Sequence, residues 1–355
     1  MKKLKLLYLF LLMFSYVFAQ TPADSLLNFI KANPTRSAIS LAQNDTMLAH
    51  FNENNMMPLA STVKILVAVE FAKQAAKNVF NENEMVSLNE LDKYYLPNTD
   101  GGAHPNWIAY EKKLGHIKND SVALINIARG MIIFSSNANT EFLVDLVGLD
   151  NIENNNELLG IKRHSKFYPL VASLFMYQNP KKKSEDYILR GISSLTEEQY
   201  CRYAYDMHKA LKYDTILKLK FRPQDLSMKM QKAWSDRLPS STTKDYVKAC
   251  RVLNNRKYLD SATYVILAKV LETLMENPAN KQWLLHAGTK GGSTAWVLTK
   301  AIYATTKQNA RIEMAYFFNN LTANENRMLQ GWMNGFELNI LTDSNFRKKV
   351  GEVLN

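Results

Sequence analysis

The sequence predicts an α/β fold: an antiparallel sheet built from both ends of the chain and flanked by helices, with an all-helical lobe inserted between its halves. Three observations predict it. Residues 37–41 and 47–51 alternate apolar and polar side chains around Ala42-Gln43-Asn44-Asp45-Thr46, the pattern of a β-hairpin. Residues 295–304 and 312–318, near the other end, are aromatic and β-branched enough to pair as strands. Most of the chain between, to about Leu238, carries helical patterning. The expected division is therefore residues 20–60 with 240–355 as the α/β lobe and 61–239 as the helical lobe. No internal repeat and no Gly/Pro-rich linker interrupts the 355 residues, a length that suits one large domain or two joined lobes.

The elements follow in order. Residues 1–19 have the layout of a secretory signal: Lys2, Lys3 and Lys5, an apolar run from Leu6 to Phe14, and Val17-Phe18-Ala19 ahead of a cut before Gln20. The apolar run is short for a bilayer span, so the mature chain is expected to be periplasmic or secreted without a stable membrane span; a retained anchor is the alternative. After the hairpin, residues 63–71 are apolar nearly all round, as a helix buried within the protein is. Helices are expected at 122–134, 139–147 and 197–211, a polar turn at 151–156, and a solvated basic run at Lys181-Lys182-Lys183. Helical spacing returns at 262–275, before the terminal strands.

Composition bounds the function. With 46% hydrophobic and 22% charged residues the chain is globular. Cys201 and Cys250 are its only cysteines, which excludes a disulfide-rich scaffold and a multi-thiolate zinc site; whether they meet, the sequence does not say. Loss of the three signal lysines takes the net charge from +11 to +8, and a surplus spread along the whole chain points to no nucleic-acid partner.

Three short motifs carry chemistry. Ser61-Thr62-Val63-Lys64 puts a hydroxyl and an amine on one helical face at the start of the buried helix. A desolvated lysine there can lose its proton and act as base to the serine, and the helix amino end favours developing negative charge. As a surface pair this would be an ordinary capping serine and a solvated lysine, yet Lys64 sits among apolar neighbours. Ser135-Ser136-Asn137 follows one helix and opens another, where capping is the simple reading. Thr289-Lys290-Gly291-Gly292-Ser293 heads a strand-forming segment whose glycines let a substrate's backbone approach closely beside a fixed positive charge, an ordinary glycine turn being the simple reading.

In this order the motifs resemble the S-x-x-K, S-x-N and K-[ST]-G signatures of the penicillin-recognising serine acyltransferases, most closely the class A β-lactamases. The resemblance spans most of the mature chain, with weaker agreement at residues 240–245, and implies the β-lactamase/D,D-peptidase-like two-lobe fold. It implies that Ser61 is the acylated nucleophile and Lys64 its base. Ser135 relays a proton to the departing nitrogen, and Asn137 hydrogen-bonds the substrate's side-chain amide. Lys290 supplies positive potential for a substrate carboxylate and biases the proton on Ser135. Gly292 lets substrate approach, and the backbone N–H groups of Ser61 and Ser293 form the oxyanion hole.

Two departures stand out. The hydroxyl usual after the lysine is missing at Gly291, leaving Ser293 or Thr294 to replace it; a rival frame, His286-Ala287-Gly288, makes histidine the electrostatic residue. The second lies in Arg163-His164-Ser165-Lys166-Phe167-Tyr168-Pro169, where Tyr168 stands at the place of the glutamate that activates the deacylating water in class A enzymes. A phenol titrates near pH 10, so an aromatic packed under the loop is the favoured reading of Tyr168 over a catalytic one.

The expectation is a monomeric exported hydrolase, working without metal or organic cofactor on a small β-lactam or peptide-like amide that bears a carboxylate, with slow deacylation. A D,D-peptidase, amidase or esterase on cell-wall-like substrates, and a module that acylates once and holds its ligand, are the alternatives. Aromatics within residues 94–107 are candidates for the cleft wall, none assigned.

Overall fold

The computed structural model describes residues 21–179 and 183–355. The expected signal at 1–19 and Lys181-Lys182 of the basic run lie outside them; Lys183 is exposed. Five antiparallel strands form the main sheet in the order Thr46–Ala49, Ser37–Gln43, Arg311–Phe318, Leu298–Thr306, Leu284–Ser293. The amino-terminal hairpin turns at Asn44 and Asp45, whose φ values of 49° and 69° are ones that short polar residues tolerate and tight hairpins need.

Alternation along the strands gives the sheet two apolar faces. Ile312, Met314, Tyr316 and Phe318 pack on one side with Leu26, Ile30, Phe336 and Ile340 from the helices Pro22–Ala32 and Ala323–Thr342. Ala315 and Phe317 face the other side, where Thr243–Asn255 lies against the strands. The central helix Lys64–Ala76 is enclosed by Asn137–Val147, Leu149–Leu158 and Ser261–Leu271, which explains its apolar circumference. The chain enters this helical region at Met57–Pro58 and leaves it at Ser240–Ser241, and those two segments pair antiparallel, pinning entry to exit.

Several boundaries differ from expectation for local reasons. The helix expected at 122–134 is Leu124–Ile133, because Ser121–Ala123 pairs with Met85–Ser87, and the Glu84 and Glu82 carbonyls then accept from the helix's first N–H groups, Leu124 and Ile125. The next helix starts at Asn137, since the Ser136 hydroxyl accepts from Asn139 N and caps it. Residues 197–211 extend to Tyr213 behind a capping box of Thr196 and Gln199. Helix 262–275 is Ser261–Leu271 followed by a 3₁₀ turn, Thr273–Glu276. The strand expected from Ala295 begins at Leu298: Thr294 Oγ1 accepts from Trp296 N and Val297 N and holds a turn there.

The polar turn expected at 151–156 is a correction: the segment lies within the helix Leu149–Leu158. Its asparagine-rich face has buried partners. Asn155 donates to the Leu66 carbonyl and to Glu70, and accepts from Lys73 at 2.8 Å, which satisfies the one acidic residue of the central helix. Cys201 and Cys250 are both free thiols.

Candidate active site

Ser61 and Lys64 sit where a 3₁₀ turn, Ala60–Val63, runs into the central helix. Hydroxyls staple this turn to the sheet. Thr62 Oγ1 lies 2.8 Å from Thr299 Oγ1, which also reaches the Leu59 carbonyl at 2.8 Å and the Gly292 carbonyl at 3.2 Å. Gly292 is needed for close approach: a β-carbon there would stand 2.5 Å from the Leu59 carbonyl oxygen and closer still to Ser61 N. The edge strand Leu284–Ser293 thus lies directly against the backbone that carries Ser61. Ala60 precedes it at φ 46°, a conformation that costs a non-glycine residue about 1–3 kcal/mol and that the staples hold in place.

Lys64 is fully buried, and its Nζ donates to the Ser135 carbonyl at 2.7 Å and to Asn137 Oδ1 at 2.8 Å. Burial pushes its ammonium down to about 7, with Asp100 and Glu141 opposing the shift in part. Ser135 has φ 62°, which turns its carbonyl toward Lys64 while its hydroxyl accepts from Lys290 Nζ. Lys290 donates also to the Gly291 carbonyl at 2.9 Å. Burial, then the charges of Lys64 and Lys300, hold its pKa well below the usual lysine value. The three sequence motifs therefore meet as two buried lysines bracketing Ser135.

Ser61, Ser135, Asn137, Gly292, Ser293 and Thr294 all line one cavity of about 720 Å³. His286 does not: its Nε2 lies 2.9 Å from Asn254 Oδ1, and the ring packs toward Tyr303 under the sheet. Of the two hydroxyls expected to replace the one absent at Gly291, Thr294 is engaged with Ser235 Oγ at 2.7 Å and with its own turn, leaving Ser293 exposed to the cavity.

Tyr168 faces away from the cavity. It is buried edge-on against Tyr200 and donates to the Arg237 carbonyl at 2.7 Å, and burial raises its pKa well above that of a free phenol. It is the packed aromatic favoured from sequence. The same loop turns Leu170 and Leu174 toward the cavity. Its backbone is fixed from behind by carboxylates: Glu153 accepts from Phe167 N at 2.8 Å and Glu141 from Val171 N at 2.9 Å. Glu141 in turn lies 2.8 Å from His208, which also meets Asp145 at 2.7 Å. Burial disfavours charge on that imidazole, yet its two carboxylate partners outweigh it and push the pKa up to about 9.

Sequence reasoning missed several supporting groups. His104 Nδ1 lies 2.9 Å from Ser136 Oγ and fixes the Ser135–Asn137 turn from below. Asp100 is the one charged side chain among the described residues lining the cavity; both its oxygens accept backbone N–H groups, Gly102 at 3.2 Å and His104 at 3.0 Å. Cavity aromatics come from Phe221, Trp234 and Trp296, whereas Tyr94 and Trp107 of the segment expected to supply them are buried in the core.

The chain matches the model of the β-lactamase enzyme family over residues 21–273, most of its length. It belongs to that family. Membership makes the protein a hydrolase of β-lactamase type. The fold agrees: a representative class A β-lactamase from Bacteroides cellulosilyticus is 13% identical, with a TM-score of 0.51 over 95% of this chain and 99% of that one. A β-lactamase from Chitinophaga pinensis is 14% identical at a TM-score of 0.52 (89% and 98% covered), and one from Sphaerobacter thermophilus is 15% identical at 0.52 (90% and 97%). These likenesses establish the two-lobe α/β fold. A comparison with curated proteins found no match. Among the described residues no helix is long and apolar enough to cross a membrane.

Proposed function

We propose that this β-lactamase family member is a serine hydrolase that opens a β-lactam or related carboxylate-bearing amide through an acyl-enzyme at Ser61, with deacylation as its slow step. The observation that carries the reading is the Lys64 amine, buried at the Ser135–Asn137 turn with a pKa near 7, behind the cavity that Ser61 lines. A neutral amine there takes the serine proton as Oγ attacks the carbonyl carbon. The Ser61 and Ser293 N–H groups receive the oxyanion, and Ser135, supplied by Lys290, passes a proton to the leaving nitrogen. Asn137, already oriented by Lys64, holds the side-chain amide. We take the mature protein to be exported and to act as a monomer on small molecules, not nucleic acid.

Burial and the neighbouring lysines hold the Lys290 pKa below the usual lysine value, and a substrate carboxylate nearby favours its charged form by supplying the counter-charge. Lys290→Ala is therefore expected to lower acylation efficiency about ten- to a hundredfold toward carboxylate-bearing substrates and much less toward neutral esters. His286→Ala leaves that selectivity intact. A larger, charge-selective loss in the histidine variant would return the assignment to the rival frame.

Slow deacylation is supported by what the loop presents. An ester at Ser61 is hydrolysed quickly when an ionised base holds water on its open face, and here Leu170 and Leu174 face the cavity while Tyr168 does not. Mixing enzyme with a penicillin is expected to give a burst of product equal to enzyme, then a slow steady rate, with the adduct visible by intact mass for minutes. Turnover at about the upper range of typical enzymes, on the order of 10³ per second, with no burst would show that an efficient deacylating base exists. A permanent adduct favours a binding module, and no adduct favours a different acyl substrate such as that of a peptidase or esterase.

A further inference from the structure

The most exposed large apolar side chains among the described residues gather outside the cavity, at one corner of the helical region. Leu219 is 84% exposed, Tyr213 77% and Ile216 65%, with Val79, elsewhere, equal to the last. A lone exposed leucine needs no explanation; three such side chains within seven residues do. Asp214 makes the corner. It ends the helix Glu197–Tyr213, and its carboxylate accepts from Leu217 N at 2.9 Å to open the short helix Thr215–Leu219. Leu211 and Leu217 pack inward and anchor the corner, while Ile216 and Leu219, three residues apart, share the outer face. The flanks are basic. Between residues 209 and 222 the chain carries Lys209, Lys212, Lys218, Lys220 and Arg222 against one acid, Asp214. Lys212 is committed to Asp145 at 2.8 Å and Lys218 to the Asp92 carbonyl at 2.5 Å. Lys209, Lys220 and Arg222 are exposed, and among the described residues none of the three pairs with a carboxylate.

We propose that this corner docks on the surface of an anionic phospholipid membrane, with Tyr213, Ile216 and Leu219 entering the headgroup region and Lys209, Lys220 and Arg222 meeting lipid phosphates. The proposal is independent of the acyl-enzyme reading. Three arguments choose that occupant. The unpaired charges are all positive, which complements an anionic surface and opposes a second copy, since a dimer through this face would set like charges against each other. The apolar part is three side chains between charged neighbours, far short of the roughly 800 Å² per partner that a stable protein interface buries. A bilayer demands no matching shape, because each apolar side chain that enters it contributes by itself while lysine stems reach back to the headgroups. No helix among the described residues can cross a membrane, so the corner lies on the surface rather than spanning it. Docking has a consequence for the site. Phe221 and Pro223, the next residues along the chain, line the cavity, and the corner would hold that wall beside the lipid.

The test is cosedimentation with vesicles of phosphatidylcholine, alone or with roughly 30% phosphatidylglycerol. It uses the chain from Gln20 onward, which holds every described residue and leaves out the expected signal. Each basic residue near an anionic surface is worth about fivefold, so three are expected to favour the anionic vesicles on the order of a hundredfold. That preference is expected to shrink as salt is raised to about 0.5 M. Lys209→Gln, Lys220→Gln and Arg222→Gln together are expected to remove most of it, and Ile216→Ser with Leu219→Ser to weaken binding about tenfold or more. All five side chains are exposed and none belongs to the catalytic groups, so an unchanged thermal melt separates lost docking from misfolding. Leu219→Trp gives a direct reading: its added emission is expected to move to the blue on anionic vesicles and to stay on phosphatidylcholine. Equal partition to the two vesicles overturns the proposal, as does binding undiminished by the Ile216 and Leu219 changes, or an added emission that never shifts. A dimer seen by sedimentation velocity without lipid, and dissolved by Leu219→Ser, would give the corner to a second copy and overturn the lipid assignment.

Discussion

Ser61→Ala is expected to abolish covalent labelling by a fluorescent penicillin while the protein stays folded. Both halves of that outcome follow from where the side chain sits. The oxygen that forms the acyl bond is removed, and the neighbouring hydroxyls are engaged elsewhere. Ser135 is bound by Lys290, and Thr62 is buried against Thr299. Stability should hold, because the strained turn at Ala60 is maintained by Thr62, Thr299 and Gly292 rather than by the Ser61 hydroxyl. Ser61 itself is partly exposed at the cavity, and truncations at such positions commonly fall within about 0.5 kcal/mol. The measurement is gel fluorescence with intact mass, beside a thermal melt. Undiminished label on a folded variant would remove Ser61 from the mechanism.

The parts of this site that were legible in the sequence are those in which a residue type is anomalous for its surroundings. Lys64 stood out because a lysine in an all-round apolar helix must be either paired or neutralised, and the structure gives it both a hydrogen-bonded seat and a depressed pKa. Gly291-Gly292 stood out as room for a substrate's backbone, whereas the close approach seen at Gly292 is to the protein's own backbone at Leu59 and Ser61. The sheet was legible at both ends because its strands alternate or are β-branched; the glycine strand itself, Leu284–Ser293, was read only as a motif heading a strand, since glycines erase the alternation.

What remained hidden depends on contacts between distant segments. Asn151–Asn156 reads as a turn by composition, and the bonds of Asn155 to Glu70, Lys73 and Leu66, which tie the segment to the central helix, are invisible in the order of residues. Nothing in the order of residues says that Glu141 fixes the loop at Val171, or that His208, on a helix far along the chain, keeps Glu141 in place. The aromatics of the cavity could not be assigned from sequence for the same reason. Tyr94 and Trp107 are as aromatic as Trp234 and Phe221, and which pair faces the cavity is settled by packing.

Lys64→Ala is expected to slow acylation by about 10²–10⁴-fold, the usual worth of general-base help, and to erase one limb of its pH profile. The sign follows from the direction of the shift. An amine accepts the Ser61 proton only when neutral, and burial brings its pKa from the ordinary lysine value down to about 7. Acylation efficiency of the unmodified enzyme should therefore rise about tenfold per pH unit below that point and level off above it, whereas the variant should be flat across the same range. Lys64→Met separates a base from a structural lysine. A lysine whose pKa is lower folded than unfolded binds fewer protons in the native state, so it weakens the fold below about pH 7 and does so progressively less as pH climbs toward about 10. A methionine of similar length removes that penalty, although it forgoes the bonds to Ser135 and Asn137. The stability difference between wild type and Lys64→Met, read from urea unfolding, should thus move in favour of wild type between about pH 7 and 10 while acylation by the variant stays suppressed throughout. A near-normal acylation rate in either variant, or a pH limb that survives the loss of the amine, would mean that the proton leaves Ser61 by another route.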